Sequence, residues 1–189
     1  MKKYELTAEF IEKWGKKLFR IKALISFGSV EAGELGGYVE KEDNLAQDGN
    51  AWVYGNAEVY GNARVYGNAE VYGDARVCGD AEVYGDARVY GNARVCGDAW
   101  VCGDADYLLI GRIGSRLSFT TFFKNKDKGI TVYCGCFLGT IAEFRAKVTD
   151  THGNNKHAKM YNLAADMAEL QILGEEHFDK LNTNKSEPF

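Results

Sequence analysis

From Gly49 the chain alternates small apolar and polar positions with a period of six. The segment runs GNAWVY GNAEVY GNARVY GNAEVY GDARVC GDAEVY GDARVY GNARVC GDAWVC GDADYL. It makes ten hexads without a gap, of which nine carry Gly-[Asn/Asp]-Ala-x-Val-[Tyr/Cys] and the tenth keeps only Gly103-Asp104-Ala105. Six residues are too few for a helix-turn unit. Within each hexad the sides alternate: Ala57 inward, Glu58 outward, Val59 inward, Tyr60 outward. That is the period of a strand. Gly followed by Asn or Asp then forms a tight corner, since both tolerate positive φ. A short strand and a corner, repeated, predict a solenoid whose coils stack as parallel sheets.

An aliphatic residue followed four places later by a small one, as Val53 by Ala57, resembles the hexapeptide pattern of left-handed parallel β-helices. That resemblance implies three hexads per coil, hence 18 residues, and about three to four coils here. It then stacks Glu58–Arg76–Arg94, Arg64–Glu82–Trp100 and Trp52–Glu70–Arg88 as outward columns. The tyrosine columns become Tyr54–Tyr72–Tyr90, Tyr66–Tyr84–Cys102 and Tyr60–Cys78–Cys96. A Tyr-rich face is a candidate protein-binding or oligomer surface, because tyrosine is enriched at interfaces. Stacked side chains point the same way, so Cys78 and Cys96 are expected as tyrosine replacements rather than as a disulfide. Corner columns such as Asp80–Asp98 and Asp86–Asp104 are weak candidates for Ca²⁺.

The flanks read differently. Residues 1–48 are expected to cap the open solenoid end, with a hairpin over Phe10–Leu24 turning at Trp14-Gly15 and an irregular first coil through Val39 and Leu45. Beyond residue 106, Tyr107-Leu-Leu-Ile, Ser118-Phe-Thr-Thr-Phe-Phe and Ile130–Phe137 read as three strands. A capping box at Thr140 and Glu143 starts one helix, which stops near Gly153. A second runs over about 156–173, with Tyr161, Ala164, Ala165, Ala168 and Ile172 as its apolar stripe. The expected organisation is mainly β: cap 1–48, hexapeptide β-helix 49–106, a βββαα module 107–174 and a flexible tail 175–189.

Composition narrows the function. The 189 residues contain 22 glycines and one proline, so the glycine belongs to a regular array rather than to collagen or a linker. Basic and acidic residues number 8 and 9 over residues 1–48, 4 and 9 over 49–106, and 11 and 9 over 107–189. The middle is therefore net −5 and no region binds nucleic acid by charge alone. No run of about 18 apolar residues is present, so no membrane span is expected. The start lacks an apolar signal core, and five cysteines do not form a secreted framework. Both point to the cytoplasm and to reduced thiols.

Catalytic signals are sparse. The repeat holds no histidine, and His152, His157 and His177 all lie downstream. Cys134-Gly-Cys136 with His152 and His157 has the ingredients of a zinc site but an unusually tight Cys spacing. Arg112, Arg116, Lys124, Lys126 and Lys128 are candidates for an acidic partner or a small nucleotide. No cofactor is expected.

Tyr4-Glu-Leu-Thr, Leu18-Phe-Arg-Ile-Lys-Ala-Leu, Leu35-Gly-Gly-Tyr-Val-Glu, the GNARVYG array, Phe119-Thr-Thr-Phe, Cys134-Gly-Cys-Phe and Thr151-His-Gly together resemble a family of phages and gut bacteria. Its members carry YdcK-like β-solenoid repeats and are often labelled polymer-forming or putative transferases. The resemblance implies a left-handed β-helix and a phage or prophage origin, and it supplies no catalytic residues. The expected role is a non-enzymatic interaction or scaffold protein that binds a host protein in the bacterial cytoplasm, for example as a host-defence inhibitor. Two other readings stay open: a ligand-binding or acyltransferase-like protein with a site between subunits of an oligomer, and a structural virion component.

Overall fold

Three sheets of two-residue strands account for the hexads. The computed structural model describes residues 1–176 and divides the chain into two compact units, Met1–Asp104 and Ala105–Phe189. The expected tail at 175–189 falls, from residue 177 on, outside the described residues, as does His177.

In the first unit an antiparallel hairpin, β1 (Tyr4–Lys13) and β2 (Lys16–Ala23), leads to β3 (Leu35–Val39). The hexads then give β4 (Trp52–Val53), β5 (Glu58–Val59), β6 (Arg64–Val65), β7 (Glu70–Val71), β8 (Arg76–Val77), β9 (Glu82–Val83), β10 (Arg88–Val89), β11 (Arg94–Val95) and β12 (Trp100–Val101). From β4 on, strands three apart pair in parallel, in the orders β4-β7-β10, β6-β9-β12 and β5-β8-β11, and β3 pairs in parallel with β5. The partners are 18 residues apart, Glu58 with Arg76 and Arg76 with Arg94, so the chain is a parallel β-solenoid of about four turns. The alanine and valine of the hexads, from Ala51 and Val53 to Ala99 and Val101, are completely buried and fill the axis. Only small and β-branched side chains fit so narrow a core.

The corners need glycine. Gly79 has φ +72°, and a Cβ there would lie 2.8 Å from the Gly97 nitrogen one coil away. Beside each glycine the amides form ladders. Asn62 Nδ2 donates to Asp80 Oδ1 at 3.0 Å, Asn68 Nδ2 to Asp86 Oδ1 at 3.0 Å, and Asn50 Nδ2 to Asn68 Oδ1 at 3.1 Å. Asp104 Oδ1 accepts from the Arg88 backbone N–H at 2.8 Å.

The N-terminal hairpin begins at Tyr4, earlier than the sequence pattern suggests. It joins the face of β5, β8 and β11 through β3, in the order β1-β2-β3-β5-β8-β11. Val39 pairs with Val59 and Leu45 bridges Val65, so the first coil carries two residues more than the 18 of the others. This cap covers more than the open end. Trp52 and Glu58, expected on the outer surface, are both buried. Tyr4 and Phe27 meet the Trp52 ring edge-on, at centroid distances of 6.1 and 5.4 Å. Lys3 is buried as well. Its ammonium donates to the carbonyls of Asp48 (3.2 Å), Gly49 (3.4 Å) and Ala51 (3.0 Å), groups that no earlier coil takes up. Burial pulls this ammonium down to about 8, against the attraction of Asp48.

The expectation of free thiols in the third tyrosine column fails. Cys78 and Cys96 form a disulfide, with Cα atoms 4.5 Å apart. In-register parallel stacking sets the two Cα atoms within bridging range. A turn about each Cα–Cβ bond then brings the two sulfurs together, so parallel side-chain directions are no obstacle.

The second unit is a four-stranded antiparallel meander followed by two helices. The strands are β13 (Tyr107–Ile113), β14 (Ser118–Lys124), β15 (Ile130–Cys134) and β16 (Phe137–Thr140), in sequential order. The expected third strand is two. Gly135, at φ +65°, reverses the chain so that Phe137 pairs back with Cys134. The module is therefore ββββαα. Helix α1 (Ile141–His152) starts at the predicted capping box: Thr140 Oγ1 accepts from the Glu143 N–H and Glu143 Oε2 accepts from the Thr140 N–H. Helix α2 (Lys156–Leu173) is capped by Asn155 Oδ1. Phe122, Ile130 and Val132 of the sheet pack against Phe144, Val148, Tyr161, Ala165 and Ile172 of the helices. No helix among the described residues is long and apolar enough to cross a membrane.

Candidate functional site

The outward residues of each hexad are placed by the 18-residue register, so every third hexad shares a face. The five candidate tyrosines divide between two faces rather than forming one. Tyr54, Tyr72 and Tyr90 follow β4, β7 and β10. Tyr72 and Tyr90 stack at 5.5 Å with planes 17° apart, and the Tyr54 hydroxyl lies 3.1 Å from Ser29 Oγ. Tyr66 and Tyr84 follow β6 and β9. They stack at 5.0 Å and 7°, and the Tyr84 ring continues to Trp100 of β12 at 6.2 Å. The Tyr66 hydroxyl donates to Glu82 Oε2 at 2.8 Å. Burial, then the bond to Glu82 and its charge, push this phenol up to about 12. The columns remain open to solvent at Tyr90, 48% exposed, and at Trp100, 37% exposed.

The third face is covered at its first coil by the N-terminal hairpin. Trp14, from the turn of the N-terminal hairpin, stacks on Tyr60 at 5.0 Å, and the Arg76 guanidinium lies 4.9 Å from the Trp14 ring centre. Beneath them the Glu58 carboxylate accepts from the Lys13 ammonium and lies 3.2 Å from Arg76 Nε. The coil carboxylates thus serve as ion-pair and phenol partners. Arg88 Nε lies 3.5 Å from Glu70 Oε2, its neighbour in the Trp52–Glu70–Arg88 column.

The basic candidates do not converge. Arg112 and Arg116 lie at the turn between β13 and β14. Lys124, Lys126 and Lys128 lie at the other end of β14, where Lys124 Nζ is 3.1 Å from Asp106 Oδ1. The strand from Ser118 to Lys124 runs between the two groups.

Arg116 instead joins a cleft of about 190 Å³ between the sheet and the helices of the second unit. Cys134, Cys136 and His152 line it, with Phe137, Phe144 and Tyr161 as aromatic walls and Lys147 at the side. His157 is outside the cleft; its ring lies 5.7 Å from that of His152. No group of three or more His, Cys, Asp or Glu among the described residues is placed to hold a metal ion. The structure brings Cys134, Cys136 and His152 to one cleft and leaves His157 off it. The Gly135 turn takes Cys136 off the strand that ends at Cys134.

The Cys134 sulfur accepts from Thr120 Oγ1 at 3.3 Å. Burial and then the nearby Cys134 push the Tyr161 phenol up to about 12. Arg116, Lys147 and His152 rim the cleft and, among the described residues, no carboxylate lines it, so it suits an anionic group carried on a flat apolar body. Lys147 carried no functional signal in the sequence, and Tyr161 read there only as part of the apolar stripe of α2. They meet Arg116 and Cys134 only because the helices fold back over the meander.

The repeat geometry has a named counterpart. The family described as YdcK Beta solenoid repeat matches residues 57–73, 81–97 and 87–103. The coils are similar to YdcK-type solenoid repeats. The matched residues lie within the coils, with 49–56 and 74–80 outside the match, and include neither the cap nor the second unit. No curated protein matches the chain in sequence.

Proposed function

We propose that this chain is a non-catalytic binding scaffold in which the YdcK-type solenoid holds aromatic columns rigid for a protein partner. The observation that carries this reading is the pair of stacked columns, Tyr72–Tyr90 and Tyr66–Tyr84–Trp100, ordered by the backbone ladder and still accessible at Tyr90 and Trp100. Aromatic side chains already fixed in place lose little entropy on binding, and tyrosine and tryptophan dominate interface energetics. The resemblance to phage and prophage proteins directs the partner to the bacterial host. A host-defence component in the host cytoplasm is the partner class we propose. The test is affinity capture from host cells with the wild type and with two variants, Tyr72→Ser/Tyr90→Ser and Trp100→Ser. A specific host protein retained by the wild type, and lost from a variant with unchanged melting temperature, supports the reading. Equal capture by all three overturns it.

The cleft beside Arg116 favours a second reading, binding of a small anionic ligand with a planar body, such as a nucleotide or an acyl-CoA. Calorimetry with these compounds checks it. Binding by the wild type that falls at least ten-fold in Arg116→Ala supports it, and no heat with either class removes it.

A further inference from the structure

Helix α2 has apolar residues all round its middle. Its inner face, with Ala158, Tyr161, Ala164, Ala165, Ala168 and Ile172, is buried against the sheet and α1. Its outer face carries Met160, Leu163, Met167 and Leu170, which are 38, 64, 57 and 46% exposed. A helix packed on one side ordinarily presents polar residues on the other. Here the two acids in that stretch turn back: Asp166 and Glu169 each lie 2.7 Å from Arg145 Nη2 of α1. The exposed row therefore has no charge in it. Its spacings of three, four and three residues are those of the a and d positions of a coiled-coil seam. Charge returns only at the two ends, with exposed Lys156 and Lys159 before the row and exposed Glu175 and Glu176 after it.

We propose that this face pairs with the same face of a second copy of the chain, with the two α2 helices antiparallel. The charge distribution selects both the partner and the direction. A second copy run antiparallel sets Lys156 and Lys159 against the partner's glutamates at each end. Parallel pairing would set lysine on lysine and glutamate on glutamate. With the two-fold axis near Ala165, Met160 packs on Leu170 of the partner subunit and Leu163 on Met167 of the partner subunit. The contact is isologous, so it closes at a dimer and does not propagate. It also opposes the two helix dipoles. This inference is independent of the tyrosine columns and of the cleft, both of which stay accessible to their own tests.

Sedimentation of the full chain over a range of concentrations tests it. The wild type is expected to dimerise reversibly, and Leu163→Glu/Met167→Glu to stay monomeric with unchanged circular dichroism. Lys156→Glu/Lys159→Glu is expected to weaken the dimer at least ten-fold, and adding Glu175→Lys/Glu176→Lys to restore it. Restoration is a readout that a merely structural role of these residues would not give. A wild type that is monomeric at every concentration overturns the proposal. So does a dimer indifferent to Leu163→Glu/Met167→Glu, or one that the full charge exchange fails to restore. A monomer whose residues 160–170 are protected from hydrogen exchange would assign the face to the chain itself, and overturns it too.

Discussion

Tyr66 and Tyr84 lie face to face, with ring centroids 5.0 Å apart and planes 7° apart, while the Tyr66 hydroxyl reaches Glu82 of the next coil at 2.8 Å. One side chain thus joins two coils through both its ring and its hydroxyl. Tyr66→Phe keeps the stack and removes a hydrogen bond to a charged acceptor, so a loss of about 1.5–3 kcal/mol is expected. Tyr66→Ala is expected to lose about 0.5–1.5 kcal/mol more with the stack. Urea denaturation of the two variants separates the contributions; equal losses would show that the hydroxyl alone matters.

The same phenol sets a pH dependence. Its value in the folded protein is about 12, against 10.0 for a free phenol. The folded state therefore holds the proton more tightly than the unfolded state. The stability it contributes is complete below pH 10 and is lost as pH rises towards 12. The stability difference between the wild type and Tyr66→Phe should shrink across that window, and a constant difference would count against the Glu82 bond.

Glu58 is 3% exposed between Lys13 and Arg76, whereas the Glu70–Arg88 pair is largely open to solvent. Glu58→Gln leaves two cations facing an amide and is expected to cost about 1.5–3 kcal/mol. Glu70→Gln is expected to cost at most about 1 kcal/mol, as surface ion pairs do. Thermal melts of both variants at low and high salt check the contrast, since only the exposed pair should be strongly screened.

Corner glycines differ in what surrounds them. Gly79→Ala forces a Cβ to 2.8 Å from the Gly97 nitrogen at φ +72°, while Gly103 has no positive φ and nothing within 4 Å of its Cβ position. Gly79→Ala is expected to cost at least about 1–3 kcal/mol. Gly103→Ala is expected to be neutral or slightly stabilising, by up to about 1 kcal/mol. Comparable losses at both positions would show that the coils do not stack as described.

The Cys78–Cys96 bridge spans 18 residues, one coil, and closes a loop for which the chain-entropy relation gives about 3 kcal/mol. Intact mass of the native protein should be two hydrogens below that of the reduced chain. Cys78→Ser/Cys96→Ser should melt at a lower temperature. A native mass equal to the reduced one would leave the two as plain stacked thiols.

The hexad rhythm by itself determined the solenoid, because period, side alternation and corner chemistry all repeat within six residues and need no distant partner. The stacking columns followed from the 18-residue turn that the hexapeptide resemblance implies, since that turn fixes every neighbour. The Thr140–Glu143 box and the Ala-rich stripe likewise determined both helices. Only the tertiary structure decided what covers what. Trp52 and Glu58 belong to the same outward positions as Arg64 and Trp100, yet the hairpin from Tyr4 to Ala23 buries them. Nothing in the hexads records that cover. The break at Gly135 was illegible for a different reason. Cys134-Gly-Cys-Phe reads as one β-rich run, and its reversal shows only in the pairing of Phe137 with Cys134. The cleft arises in the same way, from Arg116, Cys134, Lys147 and Tyr161, four residues on four separate stretches that only helix-on-sheet packing brings to one place.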